Sequence, residues 1–208
     1  MSSLTDWIVA GSSIITAGGV VFVAFQVLLA QRSLKADHER SRREKAINLL
    51  MHMDVIRQRQ SSIARKFAER LSFEQSKSLL NQESFKVESK HRELLLGCIS
   101  KESNLHETIK DSNGQIEIPV SDCADIRWQI VSYLNNLEST LSAWRHNVAD
   151  RDILEEQYHF LVSPSDGHYL LKEFRKAAGG PRHFPSIEEF VSHIENKSNN
   201  SSGKAQVA

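Results

Sequence analysis

Hydrophobic and polar positions divide the chain into an unbroken apolar run, a charged stretch and a long series of amphipathic segments. From Trp7 to Ala30 no Asp, Glu, Lys or Arg occurs. A helix of that length, rising about 1.5 Å per residue, spans roughly 36 Å and crosses a hydrocarbon core about 30 Å thick with some tilt. The residues before it, Met1 to Asp6, contain no basic group, whereas a cleaved signal peptide opens on one. The pattern therefore predicts a retained transmembrane helix. Arg32, Lys35, Arg40, Arg42, Arg43 and Lys45 all follow the run, so the positive-inside bias places the N-terminus outside and the rest of the chain in the cytoplasm, in a single pass through the inner membrane. The same six residues, set against Asp37, Glu39 and Glu44, form a basic juxtamembrane stalk suited to anionic lipid headgroups.

Within the run, Ser13, Ala17 and Ala24 fall near one helix face, and Gly11 and Gly18 lie one heptad apart on a neighbouring line. Small residues at such spacings let helix backbones approach in lipid, so they are candidate membrane-packing positions for a homo-oligomer. Gln26 sits near the inner third, where its amide can reach the interface.

Beyond the stalk the period is helical. Leu49, Leu50, Met53, Ile56, Ile63, Phe67 and Leu71 predict one amphipathic helix, and a second covers roughly 84–109 with Leu94, Leu95 and Leu96 at its centre. Asp111, Ser112, Asn113 and Gly114 are turn chemistry, and the alternation of Ile116, Ile118 and Val120 reads as a loop with at most a small bridge. Ser121 or Asp122 is then the expected cap of the strongest helix, whose Ile126, Ile130, Leu134, Leu137, Leu141 and Trp144 hold i+3 and i+4 spacing. Asp150 or Asp152 opens a short helix through Val162. Another runs from about Asp166 to Ala178, stopped by Gly179, Gly180 and Pro181. Ser186 and Glu189 match a capping box before a last helix carrying Ile187, Phe190, Val191 and Ile194. From Asn196 the composition is polar and predicts disorder. The expected organisation is an external N-terminus (1–6), a transmembrane helix (7–30), a stalk (31–45), a cytoplasmic helical domain (46–196) and a disordered tail (197–208). The fold class is mainly α, an irregular helical bundle on a membrane anchor.

Composition adds little to this picture. With 26 residues of each sign the net charge is zero, which gives no global bias toward nucleic acid. Cys98 and Cys123 are the only cysteines and have no metal or redox spacing, so both are expected to be reduced and packed. Among the nine histidines no pair has the i+4 spacing of an HExxH helix. No Walker loop or GxSxG is present, and Arg151 and His159 stand too far apart for the Arg/His spacing of helical nucleases. No catalytic residue, metal or cofactor is nominated, and the chain reads as a non-enzyme.

Two weaker candidates for a partner or ligand remain. Arg182 and His183 follow the glycine pair and offer an anion site, for instance for a nucleotide phosphate. Asn135 and Glu138 are three apart at the edge of the apolar face of the strongest helix, where hydrogen-bonded helix packing is the favoured role. With Leu134 and Leu137 they form an L-N-x-L-E helix, followed by Asp150 or Asp152 before Ile153 and Leu154. On these elements, the span and the basic stalk, the stretch from Trp7 to Val162 resembles a family of short bacterial single-span membrane proteins carrying a helical domain of unknown function. The resemblance implies an architecture and no activity. Where that family places a Gly between the two elements, this chain has Arg145, His146 and Asn147.

Three functions are then open. First is an oligomerising membrane effector, in antiphage or stress defence by analogy of plan, whose cytoplasmic helices sense a protein partner or ligand. Second is a tether for a cytoplasmic protein. Last comes an enzyme with an unrecognised site.

Overall fold

In a computed structural model the backbone is described for residues 4–56, 59–111, 114–162 and 170–205; side chains are described for 19, 21–53, 62–107, 109, 114–162 and 170–199. The chain is mainly helical. It divides into two compact units between Glu44 and Lys45.

The first unit is helical throughout its described part. Helix α1, Leu4–Ile56, is continuous through the apolar run, the basic stretch and the first amphipathic residues, consistent with the absence of Pro and Gly from 31–56. Val21, Phe22, Val23, Phe25, Val27, Leu28 and Leu29 are all exposed, at 48–69 %. Among the described residues no helix is long and apolar enough to cross a membrane. Of the run Trp7–Ala30, only Gly19 and residues 21–30 have described side chains. Gly11, Ser13, Ala17 and Gly18 thus lie outside the described side chains, while Ala24 is exposed.

The second unit begins with the last turns of α1, where Ala46 and Met53 are buried and Leu49 and Leu50 pack against the core. Helix α2, Arg59–Ala68, follows and buries Ala64 and Phe67. Helix α3, Phe73–Leu80, is opened by a capping box in which Ser72 Oγ accepts from Gln75 N and the Gln75 side chain accepts from Ser72 N. It ends on Gln82 at φ 58°, with Glu83 N donating to Ser78 O and Gln82 N to Leu79 O, the paired bonds of a Schellman stop.

The helix expected over 84–109 is instead a strand and two short helices. Strand β1, Phe85–Glu88, pairs antiparallel with β2, Gln115–Ile118, in the register Phe85 to Ile118 and Val87 to Ile116. Those four apolar side chains are buried while the alternate residues face out. The short extended piece after the turn thus has a partner strand, which the expected loop did not. Helices α4, Arg92–Cys98, and α5, Leu105–Asp111, fill the interval. Helix α4 lies close against α2 because position 97 is glycine: a Cβ there would come within 2.8 Å of Ile63 Cγ2.

Helix α6, Val120–Arg145, is the centre of the unit and packs on α2, α3 and the helix α9, Pro185–Ala205. All six apolar residues named for it from the sequence are buried. Neither expected cap is used. Pro119 occupies the cap position without a side-chain bond, and Asp122 is buried in the first turn. At the other end, Val148 N donates to Ala143 O and Asn147 N to Trp144 O, with Asn147 at φ 58°. Asn147 thus takes the left-handed position that a glycine fills in other helix stops.

Helix α7, Arg151–Tyr158, is capped by Asp150, whose carboxylate accepts from Asp152 N and Ile153 N, and a 3-10 turn extends it to Leu161. Helix α8, Lys172–Ala177, starts later than the expected Asp166, which lies outside the described residues. It ends at Gly179, φ 102°, as the glycine pair predicts. Helix α9, Pro185–Ala205, continues through the polar stretch expected to be disordered. Lys197, at the start of that stretch, is anchored by a 2.8 Å bond to Glu155.

Both cysteines are buried. Burial pushes the Cys98 thiol up to about 12, and burial with the nearby Asp122 charge pushes Cys123 up to about 11. The expected result is that neither reacts with iodoacetamide at pH 8 in the folded chain, while both react in urea; mass spectrometry of alkylated protein reads this. Rapid modification of either thiol in the folded chain would contradict its placement.

Candidate functional site

Glu138 is engaged within the fold. Its two carboxylate oxygens accept the backbone N–H groups of Ser186, at 2.8 Å, and Ile187, at 3.0 Å. These are orphan donors in the first turn of α9, and Pro185 ahead of them has no N–H to leave unpaired. A side chain from α6 therefore caps α9 across the fold, where the charge also meets the positive end of the helix dipole. Ser186 is itself inside the helix and buried, so the capping box expected with Glu189 is absent. Glu189 instead pairs with Arg145 at 2.7 Å, a second tie between the two helices. Asn135, its sequence neighbour on the motif, is exposed. The structure thus separates the pair. Glu138 positions α9, while Asn135 is exposed.

Below this cap, Trp144 is fully buried at the junction of α6, α7 and α9. Its ring meets Phe190 edge-on at 5.2 Å and His193 at 5.3 Å, and the Arg151 guanidinium lies 4.1 Å above it. Its Nε1 donates to Glu155 Oε1 at 3.1 Å. The other Glu155 oxygen takes Lys197 Nζ, and His193 Nε2 lies 3.1 Å from the first. Burial would raise the Glu155 carboxyl, but the hydrogen bonds from Lys197 and Trp144, with the charges of His193 and Lys197, outweigh it and hold the group below the ordinary carboxylate range. The cluster is a structural knot in which Trp144, His193 and Lys197 all converge on Glu155.

Arg182 and His183 are exposed on the turn between α8 and α9. A Cβ on Gly179 would collide with the His183 ring, so the glycine serves both its own φ and the packing of this histidine. The cavity beside the turn, about 580 Å³, is lined instead by α8 and α9, with Lys172, Arg175, Lys176, Gly180, Glu188 and Val191 on its walls. Sequence reasoning named the turn but missed these side chains. The signal available was the spacing of Lys172, Arg175 and Lys176 ahead of the glycines, which sets three cations on one helix face. Among the described residues no three His, Cys, Asp or Glu side chains are grouped as metal ligands.

The six basic residues of the stalk lie on α1; Arg42 is half-buried and the other five are exposed. No family model, curated protein or solved structure matches the chain. The likeness carried by Leu134, Asn135, Leu137 and Glu138 therefore supplies no argument for function.

The Glu138 cap makes a direct prediction. Glu138→Ala removes both acceptors from α9 and should cost about 1–2 kcal/mol of stability, while Asn135→Ala should change it by less than about 0.5 kcal/mol. Urea melts of the full-length chain in detergent, followed by helical circular dichroism, compare the two. Equal effects would contradict the division of roles.

Proposed function

We propose that the chain is a single-pass inner-membrane protein, anchored by Trp7–Ala30 with its helical domain in the cytoplasm, in which span association carries a signal sensed by that domain. The observation that carries this reading is the exposure of apolar side chains on all sides of α1 from Val21 to Leu29. Leaving seven such groups in water costs on the order of 10 kcal/mol, and nothing among the described residues covers them. Lipid is the solvent that removes this cost, and the absence of charge back to Trp7 supplies the length. The basic residues from Arg32 to Lys45 would then meet anionic headgroups.

The effector role, in antiphage or stress defence by analogy of plan, rests on the small residues Gly11, Ser13, Ala17, Gly18 and Ala24, which suit helix association in lipid. A tether for another protein needs no such face. The experiment replaces Trp7–Ala30 with an unrelated monomeric span and, separately, introduces Ser13→Leu with Ala17→Leu, at matched expression. The effector reading expects both variants to insert but to lose cross-linked oligomers and the cellular phenotype. Full phenotype in the chimaera would overturn it in favour of the tether.

A further inference from the structure

The cavity between α8 and α9 has a charge arrangement that the fold leaves incomplete. Arg175, 3 % exposed, spends two donors internally: Nε on the Leu170 carbonyl at 2.7 Å and Nη1 on Glu188. That pair cancels its own charge. Lys172 and Lys176 remain, one turn apart on the same face of α8, and both line the cavity. Lys172 has no ion pair among the described residues, and Lys176 only overlies the Phe73 ring at 5.3 Å. Like charges at i,i+4 repel by a few tenths of a kcal/mol, so an anion between them is favoured twice, by attraction and by relief of that repulsion. Among the described residues Glu195 is the one acid on the wall outside the Arg175 pair, so the described lining carries a net positive charge.

Shape and wall chemistry narrow the ligand. A volume of about 580 Å³ lies in the range of small-molecule sites. Val162, Pro181 and Val191 give it an apolar side, and at Gly180 a Cβ would meet nothing within 4 Å, so that point of the turn leaves space unfilled. Two Arg175 donors are already engaged within the fold, and lysine ammoniums act as point charges, which suit the tetrahedral oxygens of phosphate better than planar bidentate recognition of a carboxylate.

We propose that this cavity binds a phosphate-bearing ligand, held by Lys172 and Lys176 with its less polar part against Val162 and Val191. The inference deepens the sensing half of the proposed function and rests on it. Binding is read on the full-length chain in neutral detergent, so its failure leaves the membrane assignment, which is tested by reporter fusions, intact.

The phosphate source is decided by two arms. Calorimetric titration with ATP and with inorganic pyrophosphate tests soluble phosphates; mixed micelles containing phosphatidylglycerol test a lipid headgroup. Saturable binding is expected in one arm, weakened at least tenfold by Lys172→Ala with Lys176→Ala and unchanged by Arg182→Ala with His183→Ala. Both lysines are exposed, and an unchanged circular dichroism melt confirms that the double variant folds. The arm that shows lysine-dependent binding identifies the source. No saturable binding in either arm, or binding undiminished in the lysine variant, would overturn the proposal.

Discussion

Trp144→Ala is expected to destabilise the helical unit by about 3–5 kcal/mol, the range for truncating a fully buried large aromatic side chain. The ring is the common contact of α6, α7 and α9, touching Phe190, His193 and Arg151, so its loss leaves a cavity that several helices would have to move to close. Removal of the indole also takes one donor from Glu155, which keeps Lys197 and His193. The hydrogen bond should therefore be the smaller part. Trp144→Phe retains most of the volume and should cost about 1–2 kcal/mol. Urea denaturation of the full-length chain in detergent gives both numbers. Equal losses for the two variants would mean that the bond to Glu155, and not the volume, dominates.

Arg175→Leu is expected to cost somewhat less, about 2–3 kcal/mol, for a different reason. The guanidinium is buried, and although Glu188 is 29 % exposed and can be rehydrated, loss of the arginine leaves two acceptors without their donor. Glu188 would lose its partner, and the carbonyl of Leu170, a residue with no exposed surface, would lose the Arg175 Nε donor. The backbone at this point is already in an unfavourable state. Leu170 and Leu171 have φ of 46° and 57°, a left-handed conformation costing about 1–3 kcal/mol for each non-glycine residue. Burial of both leucines and the two bonds from Arg175, its Nε to Leu170 O and its amide to Leu171 O, hold the turn there. Arg175→Lys keeps the charge without the fork and should recover only part of the loss. A lysine variant as stable as the native chain would show that charge alone suffices.

What the sequence made legible was local. The apolar face of α6 was readable because six large residues keep one period over a long helix, and burial follows directly from that period. The start of α7 at Asp150 or Asp152 and the stop at Gly179 were readable for the same reason, since each acts on backbone within a few residues; the structure gives the cap to Asp150. Strand β1 was not. Phe85 and Val87 supply a single alternation, and their partners Ile118 and Ile116 lie far along the chain, so the leucines at 94–96 made a helix the natural reading. Glu138 was recognised as a residue needing partners at the core edge, but those it takes are backbone groups 48 and 49 positions away, for which no side-chain pattern exists. The cavity was hidden likewise, because α8 and α9 supply its walls separately and only their packing joins Lys172 and Lys176 to Glu188 and Val191.

The membrane assignment is the central claim, and dual topology reporters test it most directly. Alkaline phosphatase and a fluorescent protein are fused, separately, to the C-terminus of the full chain, and activity is measured in intact cells together with carbonate extraction of the membranes. An inactive phosphatase, a bright fluorophore and a chain retained in the carbonate-washed membrane are the expected results, because the excess of Lys and Arg follows the apolar run. An active phosphatase with a dark fluorophore, or release of the chain by carbonate, would contradict the account.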